Sequence, residues 1–192
     1  MGRLRCCLFI AVFLGVTFTH AQTASPSDDV YRGTVVDAET GEPLEGAVVV
    51  VVWLKKPWLA MDGPDYFHKA KEVMTDVGGK FSIDITPGVN WNLFTFMDEH
   101  PWIVIFKPGY GPLTPAYHRG LANFHEDLKQ GAMVRLPRLK TREGLIHFAD
   151  LGALGIGGDV PRRHIRNLLR LVNEQRKHLY LEPFPEAPGG RP

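Results

Sequence analysis

The sequence is poor in cysteine, and its two cysteines, Cys6 and Cys7, lie at the very start of the chain. If that start is removed, no thiol remains, so disulfide bonds and thiolate chemistry are excluded. Serine is scarce as well. Beyond residue 21 only Ser25, Ser27 and Ser82 occur, and none has the Gly-x-Ser-x-Gly setting of a serine nucleophile. We therefore expect neither a cysteine nor a serine hydrolase.

An excess of charge is also absent. Lys and Arg total 22 and Asp and Glu total 21. Removing Arg3 and Arg5 with a signal peptide leaves 20 basic against 21 acidic residues. Such a balance lacks the basic character of a protein that binds nucleic acid. We expect no nucleic-acid partner.

The first 21 residues have the pattern of a secretory signal peptide. Arg3 and Arg5 precede an apolar run from Leu8 to Phe18, which is too short to span a bilayer. Small residues then offer a cleavage site after Ala21. The alternative is an uncleaved anchor. We expect export to the periplasm or the cell exterior, with residues 22–29 as a flexible leader.

Short β-branched or alternating segments follow one another, separated by Gly and Pro turns. This spacing predicts a mostly β fold, a sandwich or barrel, of about seven strands. The five consecutive valines after Ala47 favour a strand that is central and covered, because an exposed run of this kind aggregates. The predicted strands are Tyr31–Val36, Ala47–Trp53, His68–Asp76, Lys80–Ile85, Trp91–Met97, Trp102–Phe106 and Ala132–Leu139.

Several motifs in this region resemble the carboxypeptidase regulatory-like domain, a transthyretin-like Greek-key β-sandwich. They occur in the family's order, and the resemblance covers roughly residues 30–112. It implies a non-catalytic accessory domain. The matching segments are Gly33-x-Val35-x-Asp37, Thr40-Gly41-x-Pro43-Leu44-x-Gly46-Ala47, Thr75-Asp76-x-Gly78-Gly79-Lys80-Phe81, Pro87-Gly88 and Lys107-Pro108-Gly109-Tyr110.

Two segments are longer than the family pattern, one from Leu54 to Phe67 and one from Gly111 to Gly131. Loops on a rigid scaffold are where binding residues usually lie. The first segment carries aromatic residues beside charged ones, which suits contact with a protein or a carbohydrate. Alternatively, the aromatic side chains fold back and close the end of the sandwich. The candidate contact residues are Trp58, Tyr66 and Phe67.

Residues 161–180 have the period of a helix that begins near Pro161. Two interpretations stay open: a basic amphipathic helix for an anionic membrane surface or partner, or a helix docked on its own sandwich. Arg176 interrupts the apolar stripe. That stripe contains Ile165, Leu168, Leu169, Val172 and Leu179, and the basic stripe beside it contains Arg163, Arg166, Arg170 and Lys177.

Enzyme hypotheses find little support. Intradiol ring-cleaving dioxygenases share a similar opening, and that resemblance implies iron held by two tyrosines and two histidines. Here the strand Trp102–Phe106 carries no histidine pair, and His100 is the only histidine nearby. His118 and His125 lie in the second long segment without a His-Glu-x-x-His arrangement. We expect these histidines to be exposed loop residues.

The sequence thus predicts a signal peptide at 1–21, a leader at 22–29, a sandwich at 30–139, a linker and amphipathic helix at 140–182 and a disordered tail at 183–192. The predicted function is an exported, non-enzymatic binding or interaction module. The alternatives are an enzyme whose site lies in the inserted segments, or an assembly subunit. No cofactor is expected.

Overall fold

A computed structural model describes residues 29–59, 65–90, 92, 94–97, 100–115 and 123–185. The predicted signal peptide and nearly all of the leader lie outside them. The protein is mostly β, with two sheets and a C-terminal helix. The strands are β1 (Val30–Asp37), β2 (Val48–Pro57), β3 (Tyr66–Met74), β4 (Lys80–Asp84), β5 (Thr95–Met97), β6 (Trp102–Phe106) and β7 (Ala132–Leu136). The helices are α1 (Phe124–Gln130), α2 (Arg142–His147) and α3 (Arg166–His178), with a 3-10 turn at Arg162–His164.

Each sheet is organised around one strand. In the first sheet β1 pairs with β4 in antiparallel fashion and with β7 in parallel fashion. In the second sheet β2 pairs with β3 along one side. On its other side β2 pairs first with β6 and then, near its end, with β5. β2 is therefore a central strand, as the valine run predicts.

The two faces of β2 enter two different cores. Val49, Val51 and Trp53 face the first sheet and form the inter-sheet core with residues such as Ile103 and Leu136. The alternate residues of β2 face away from the first sheet because successive side chains of a strand point to opposite faces. These residues, Val48, Val50, Val52 and Leu54, form the helix-side core with α3 and the loop before it.

Motif residues that are distant in sequence meet where β1 ends. The buried carboxylate of Asp37 accepts hydrogen bonds from the backbone N–H groups of Glu39 (2.8 Å) and Thr40 (3.1 Å). Its other oxygen accepts from Arg138 Nε at 2.6 Å and from the Tyr110 hydroxyl at 3.1 Å. These bonds, led by the one from Arg138, hold the pKa of Asp37 well below its usual range.

A second group of buried hydrogen bonds, which like the group around Asp37 we call a joint, links the motif segment before β2 to the one after β3. The buried Thr75 hydroxyl donates to the Leu44 carbonyl at 2.6 Å and accepts from the Ala47 N–H at 2.8 Å. Gly79 has φ +69°, and a Cβ there would lie 2.4 Å from the Val35 carbonyl oxygen. Only glycine fits this close approach. The motif residues therefore act here as joints of the frame.

α3 is docked on the second sheet. Its apolar stripe, which includes Leu168 and Val172, is buried in the helix-side core, as the docked interpretation predicts. The residue before the helix, Ile165, offers no side-chain cap. Instead, Glu72 of β3 accepts hydrogen bonds from the backbone N–H groups of Asn167 (2.7 Å) and Leu168 (3.1 Å). A carboxylate at a helix N-terminus is favourable for both hydrogen bonding and the helix dipole.

Two polar residues of α3, Asn173 and Arg176, form hydrogen bonds with backbone groups of neighbouring loops. Arg176 donates to the carbonyls of Ala149 (2.8 Å) and Glu182 (2.6 Å), and its guanidinium lies 4.1 Å from the centroid of the Phe184 ring. This explains why a cation interrupts the apolar stripe. Phe184 falls within the predicted disordered tail, and it is also bonded through its backbone to the side chain of Asn173. The rest of that tail, from residue 186, lies outside the described residues.

Some predicted boundaries differ from the observed ones. The predicted strand from Trp91 is shorter and begins at Thr95, because Asn90 and Asn92 bond the backbone of a loop there. Within the glycine-containing linker, residues 142–147 form α2, whose N-terminus is capped by the Thr141 hydroxyl. Too short to show a hydrophobic period, α2 is not recognisable by patterning.

Candidate functional site

The described residues of the predicted insertion from Leu54 to Phe67 mostly extend the β2–β3 hairpin. Residues 54–57 belong to β2 and residues 66–67 to β3. The expectation of a long loop is thus wrong for these residues, since Lys55 pairs with Tyr66 and Leu54 with Phe67. Residues 60–64, at the tip, lie outside the described part.

Large apolar side chains are exposed where this hairpin meets β5. Trp58 is 66% exposed and Phe94 69% exposed. The Trp58 N–H donates to the Phe94 carbonyl at 2.8 Å, which joins the two residues across the strands. Lys56 pairs with Phe96, so a cation stands beside the aromatic rings. We call this end of the second sheet the aromatic end, and its exposed large apolar residues are Trp58, Leu59, Tyr66, Phe94 and Phe96. Tyr66 pairs with Lys55 and Phe96 pairs with Lys56, so these two rings lie on opposite faces of the sheet.

Asparagine side chains shape the loop that presents Phe94. Asn92 Oδ1 accepts from the Phe94 N–H at 2.9 Å, and Asn90 Nδ2 donates to the Thr95 carbonyl at 2.8 Å. Such local bonds replace strand pairing with a turn. The loop therefore holds Phe94 outward, although its aromatic side chain would ordinarily be buried.

Two of the three predicted contact residues in this region are exposed, and the third is not. Trp58 and Tyr66 lie on the aromatic end. Phe67, by contrast, is half-buried and packs against the helix-side core, with its ring centroid 5.3 Å from that of His164. This side chain therefore joins the hairpin to the turn before α3, and contact of Phe67 with a ligand or partner stays a prediction.

The four predicted basic residues of the helix region are all exposed. Arg166, Arg170 and Lys177 lie on the outer side of α3, and Arg163 lies on the preceding turn. Among the described residues, none of the four forms an ion pair. The Phe67–His164 contact brings the start of this basic stripe next to the base of the aromatic end.

Two histidines respond to the positive charge of this region. The pKa of His68 is lowered by burial and then by the charges of Lys55 and Lys69. The pKa of His164 is lowered by burial and then by Arg163. Both histidines are therefore held neutral at neutral pH, and the fixed cations around them favour an anionic partner.

A second cluster forms around His125 of α1. The Tyr31 hydroxyl and His125 Nδ1 are 2.8 Å apart, and the rings of His125 and His100 have centroids 4.4 Å apart. Burial raises the pKa of Tyr31, so its hydroxyl stays protonated. The expectation that His125 is an exposed loop residue is corrected, because His125 lies in α1 and is half-buried against β1. His118 lies outside the described residues.

Within the described part of the chain, no three His, Cys, Asp or Glu side chains converge as a metal site would require. No helix in that part is both long enough and apolar enough to cross a membrane.

No family model, no curated protein and no solved structure matches the chain. Nothing there identifies the carboxypeptidase regulatory-like family, which stays a prediction from the motifs.

Sequence reasoning missed Leu59, Phe94 and Phe96 as members of the exposed surface. Phe94 and Phe96 alternate along a predicted strand, and this pattern is typical of a half-buried face. Only the run Asn90-x-Asn92, whose residues favour turns, could have indicated that the strand is interrupted there. The pairing of His100 with His125 had no local signal, because 25 positions separate them.

Proposed function

We propose that this chain is an exported, non-enzymatic interaction module that binds an acidic protein surface through the aromatic end and the adjoining basic stripe. The observation that carries this proposal is the group of exposed aromatic side chains held at one end of the second sheet. Apolar groups of this size are seldom exposed together unless they meet a partner. Tyr and Trp are enriched at interfaces, because they bury a large area and still offer a polar group.

The charge near this surface favours an acidic partner over a neutral one. Arg163 is exposed and precedes His164, whose ring contacts Phe67, and Arg166 and Arg170 are exposed on the helix that follows. We favour a protein over a carbohydrate because fully exposed aliphatic Leu59 accompanies the rings. A sugar-binding surface usually combines rings with amides or carboxylates, whereas here the amides of Asn90 and Asn92 bond the loop itself.

The scaffold we propose is a transthyretin-like Greek-key sandwich of the carboxypeptidase regulatory-like kind. Its support is the use of the motif residues as joints: Asp37 with Tyr110, and Thr75 with Leu44. In such a protein the motifs maintain the frame and leave the ends of the strands free for recognition.

Site-specific photo-crosslinking in the native cells tests the partner. A photoreactive residue replaces Trp58, and in a matched control it replaces Tyr180, which is 92% exposed at the far end of α3. We expect a discrete protein adduct from position 58 alone, weakened when Arg163 and Arg166 are changed to Gln. Equal adducts from both positions, or an adduct that contains only a second copy of this chain, would contradict the proposal. The latter result would favour an assembly subunit.

Export is tested separately by the N-terminus of the protein in those cells. We expect the chain to begin at Gln22. A chain that retains Met1 or Gly2 in the membrane fraction would point instead to an uncleaved anchor.

One observation favours the alternative of an enzyme in the second inserted segment. The bond between Tyr31 and His125, next to His100, would orient an imidazole in the way that a metal site needs. The metal content of the purified protein distinguishes the enzyme from the non-enzymatic interaction module. Stoichiometric zinc or iron, lost in His125→Ala but kept in the control His147→Ala, would support the enzyme and overturn the non-enzymatic proposal.

A further inference from the structure

A cavity of about 460 Å³ follows the edge of β4, away from the aromatic end. Its volume is within the usual range for pockets that hold a small molecule. Residues from both faces of β4 line it, so the cavity bends around this edge strand. One part of the lining is cationic or hydroxylic, with Arg32, Lys80, Thr34 and Ser82, and the other part is apolar, with Val73, Met74 and Phe81.

Strand register gathers the polar part. Arg32 pairs with Ser82 and Thr34 pairs with Lys80, so all four lie on the face of the first sheet that points away from the inter-sheet core. Gly131, which also lines the cavity, presents no side chain beside them. The cluster is therefore a consequence of the pairing between β1 and β4, and both strands are anchored by core residues on their other face.

Arg32 carries an unsatisfied donor. Its Nη1 is shut off from solvent and has no hydrogen-bond acceptor in the described part of the chain. A buried polar group without a partner is rare and costs free energy, and interaction with an ion is one of the recognised explanations. Asp76, the acidic residue among those that line the cavity, is not the acceptor for Arg32 Nη1. Asp76 Oδ1 accepts instead from the N–H groups of Gly78 (2.9 Å) and Lys80 (2.8 Å) of its own turn.

We propose that this cavity binds a small organic acid. Its carboxylate would accept hydrogen bonds from the Arg32 guanidinium, whose planar donors match a carboxylate, with Lys80 and Ser82 beside it. Its apolar body would lie against Val73, Met74 and Phe81. This binding goes beyond the proposed partner surface and does not depend on it, because the two sites share no residue.

Calorimetric titration of the purified protein tests the inference, with benzoate, hexanoate and inorganic phosphate as probes and benzamide as the uncharged analogue of benzoate. We expect at least one of the two carboxylates to bind with a dissociation constant of about 1 mM or lower. Benzamide should bind at least about tenfold more weakly than benzoate, because it lacks the charge that Arg32 pairs with. No binding of either carboxylate at concentrations of about 10 mM would overturn the proposal. Equal binding of phosphate and of both carboxylates would overturn the organic acid, since the apolar lining would then contribute nothing.

Variants locate the site. Arg32→Gln should weaken carboxylate binding about tenfold or more. The matched control is Arg135→Gln, because Arg135 is exposed on β7 of the same sheet and does not line the cavity. It should bind within about twofold of the wild type. If Arg32→Gln does not fold, Lys80→Gln, an exposed position, provides the second variant and should weaken binding severalfold. Unchanged affinity in the folded Arg32 or Lys80 variants would contradict the assignment.

Discussion

The two cores on either side of β2 are equally well buried but are closed in different ways. The inter-sheet core lies between two sheets whose strands are joined by hydrogen bonds and by the Asp37 and Thr75 joints. The helix-side core has a sheet on one side only. Its cover is the segment from residue 148 to residue 184, to which α3 contributes Leu168, Leu171 and Val172, and the loop and turn before α3 contribute Leu154, Ile156, Val160 and Ile165. The second core therefore depends on one continuous piece of chain, whereas the first depends on contributions from all along the sequence.

Removing the cover should have the largest effect. Deletion of residues 161–192 exposes Val48, Val50, Val52 and Phe106, all at most 1% exposed in the intact fold. Because an exposed valine-rich strand aggregates, we expect a truncated chain that is insoluble or lacks a cooperative unfolding transition. Circular dichroism and urea titration measure this. A soluble truncated protein with a cooperative transition would show that the inter-sheet core suffices and that α3 is an accessory.

A matched pair of substitutions compares the two cores directly. Leu168 in the helix-side core and Leu136 in the inter-sheet core are both essentially unexposed. Leu→Ala at either site should lower the free energy of unfolding by about 2–5 kcal/mol, through lost burial and the cavity that remains. Denaturant titration of both variants gives the difference. A loss below about 1 kcal/mol for Leu168→Ala alone would mean that the helix side repacks freely.

The bond from β3 to α3 should have an intermediate effect. Glu72→Ala removes the carboxylate that caps the helix, and we expect a loss of about 1–2 kcal/mol in the free energy of unfolding. Glu174→Ala is the matched control, since Glu174 is exposed on the same helix and caps nothing. Hydrogen exchange should also accelerate at the amides of Asn167 and Leu168. Equal stability of the two variants would contradict a capping role.

On the inter-sheet side, the Asp37 joint predicts a dependence on pH. The pKa of Asp37 is lowered in the folded protein, chiefly by Arg138, so its contribution to stability is present above the unfolded-state pKa of about 4 and is lost as the pH falls. Asp84, whose pKa is lowered chiefly by Lys71, acts in the same direction. Asp37→Asn should therefore be less stable than the wild type at pH 7 and lose less stability on acidification. Parallel pH profiles for the two proteins would rule this out.

The exposed basic stripe should matter least for stability. Arg166→Gln and Arg170→Gln, made together, should change the free energy of unfolding by no more than about 0.5 kcal/mol per site, because neither side chain is buried or paired within the described residues. Thermal unfolding checks this. A larger loss would give the stripe a structural role in closing the helix-side core.

The strands and the docked stripe of the helix could be predicted because they depend on local periodicity. Phe81, Ile83 and the valines of β2 alternate as a half-buried or central strand must, and Leu168, Leu169 and Val172 recur at helical spacing. What could not be predicted is pairing between distant segments. The parallel contact of β1 with β7 and the cap that Glu72 provides have no signature within either partner's own sequence.

In the candidate surfaces, too, features that depend on local sequence could be predicted, and features that depend on contacts between distant segments could not. The exposure of Trp58 and of the four basic residues follows from local composition, and those residues were identified. Phe67 has the same local composition but is half-buried, because His164 approaches it from the other end of the chain. Arg32, which lines the further cavity, has no local pattern that marks it, because its environment is created by the register of β1 against β4.

The capping of α3 by Glu72 also sets an order of events in folding. The helix begins without a side-chain cap of its own, so its first turn gains its capping bonds once β3 has formed beside β2. Because α3 follows every strand in the chain, ribosomal synthesis produces the valine-rich strand long before its cover exists. At one stage of synthesis, therefore, β2 is hydrogen-bonded to its neighbouring strands while its helix-side face is still exposed. A chaperone that shields this face during that interval should raise the yield of native protein, whereas slower synthesis, which lengthens the interval, should lower it.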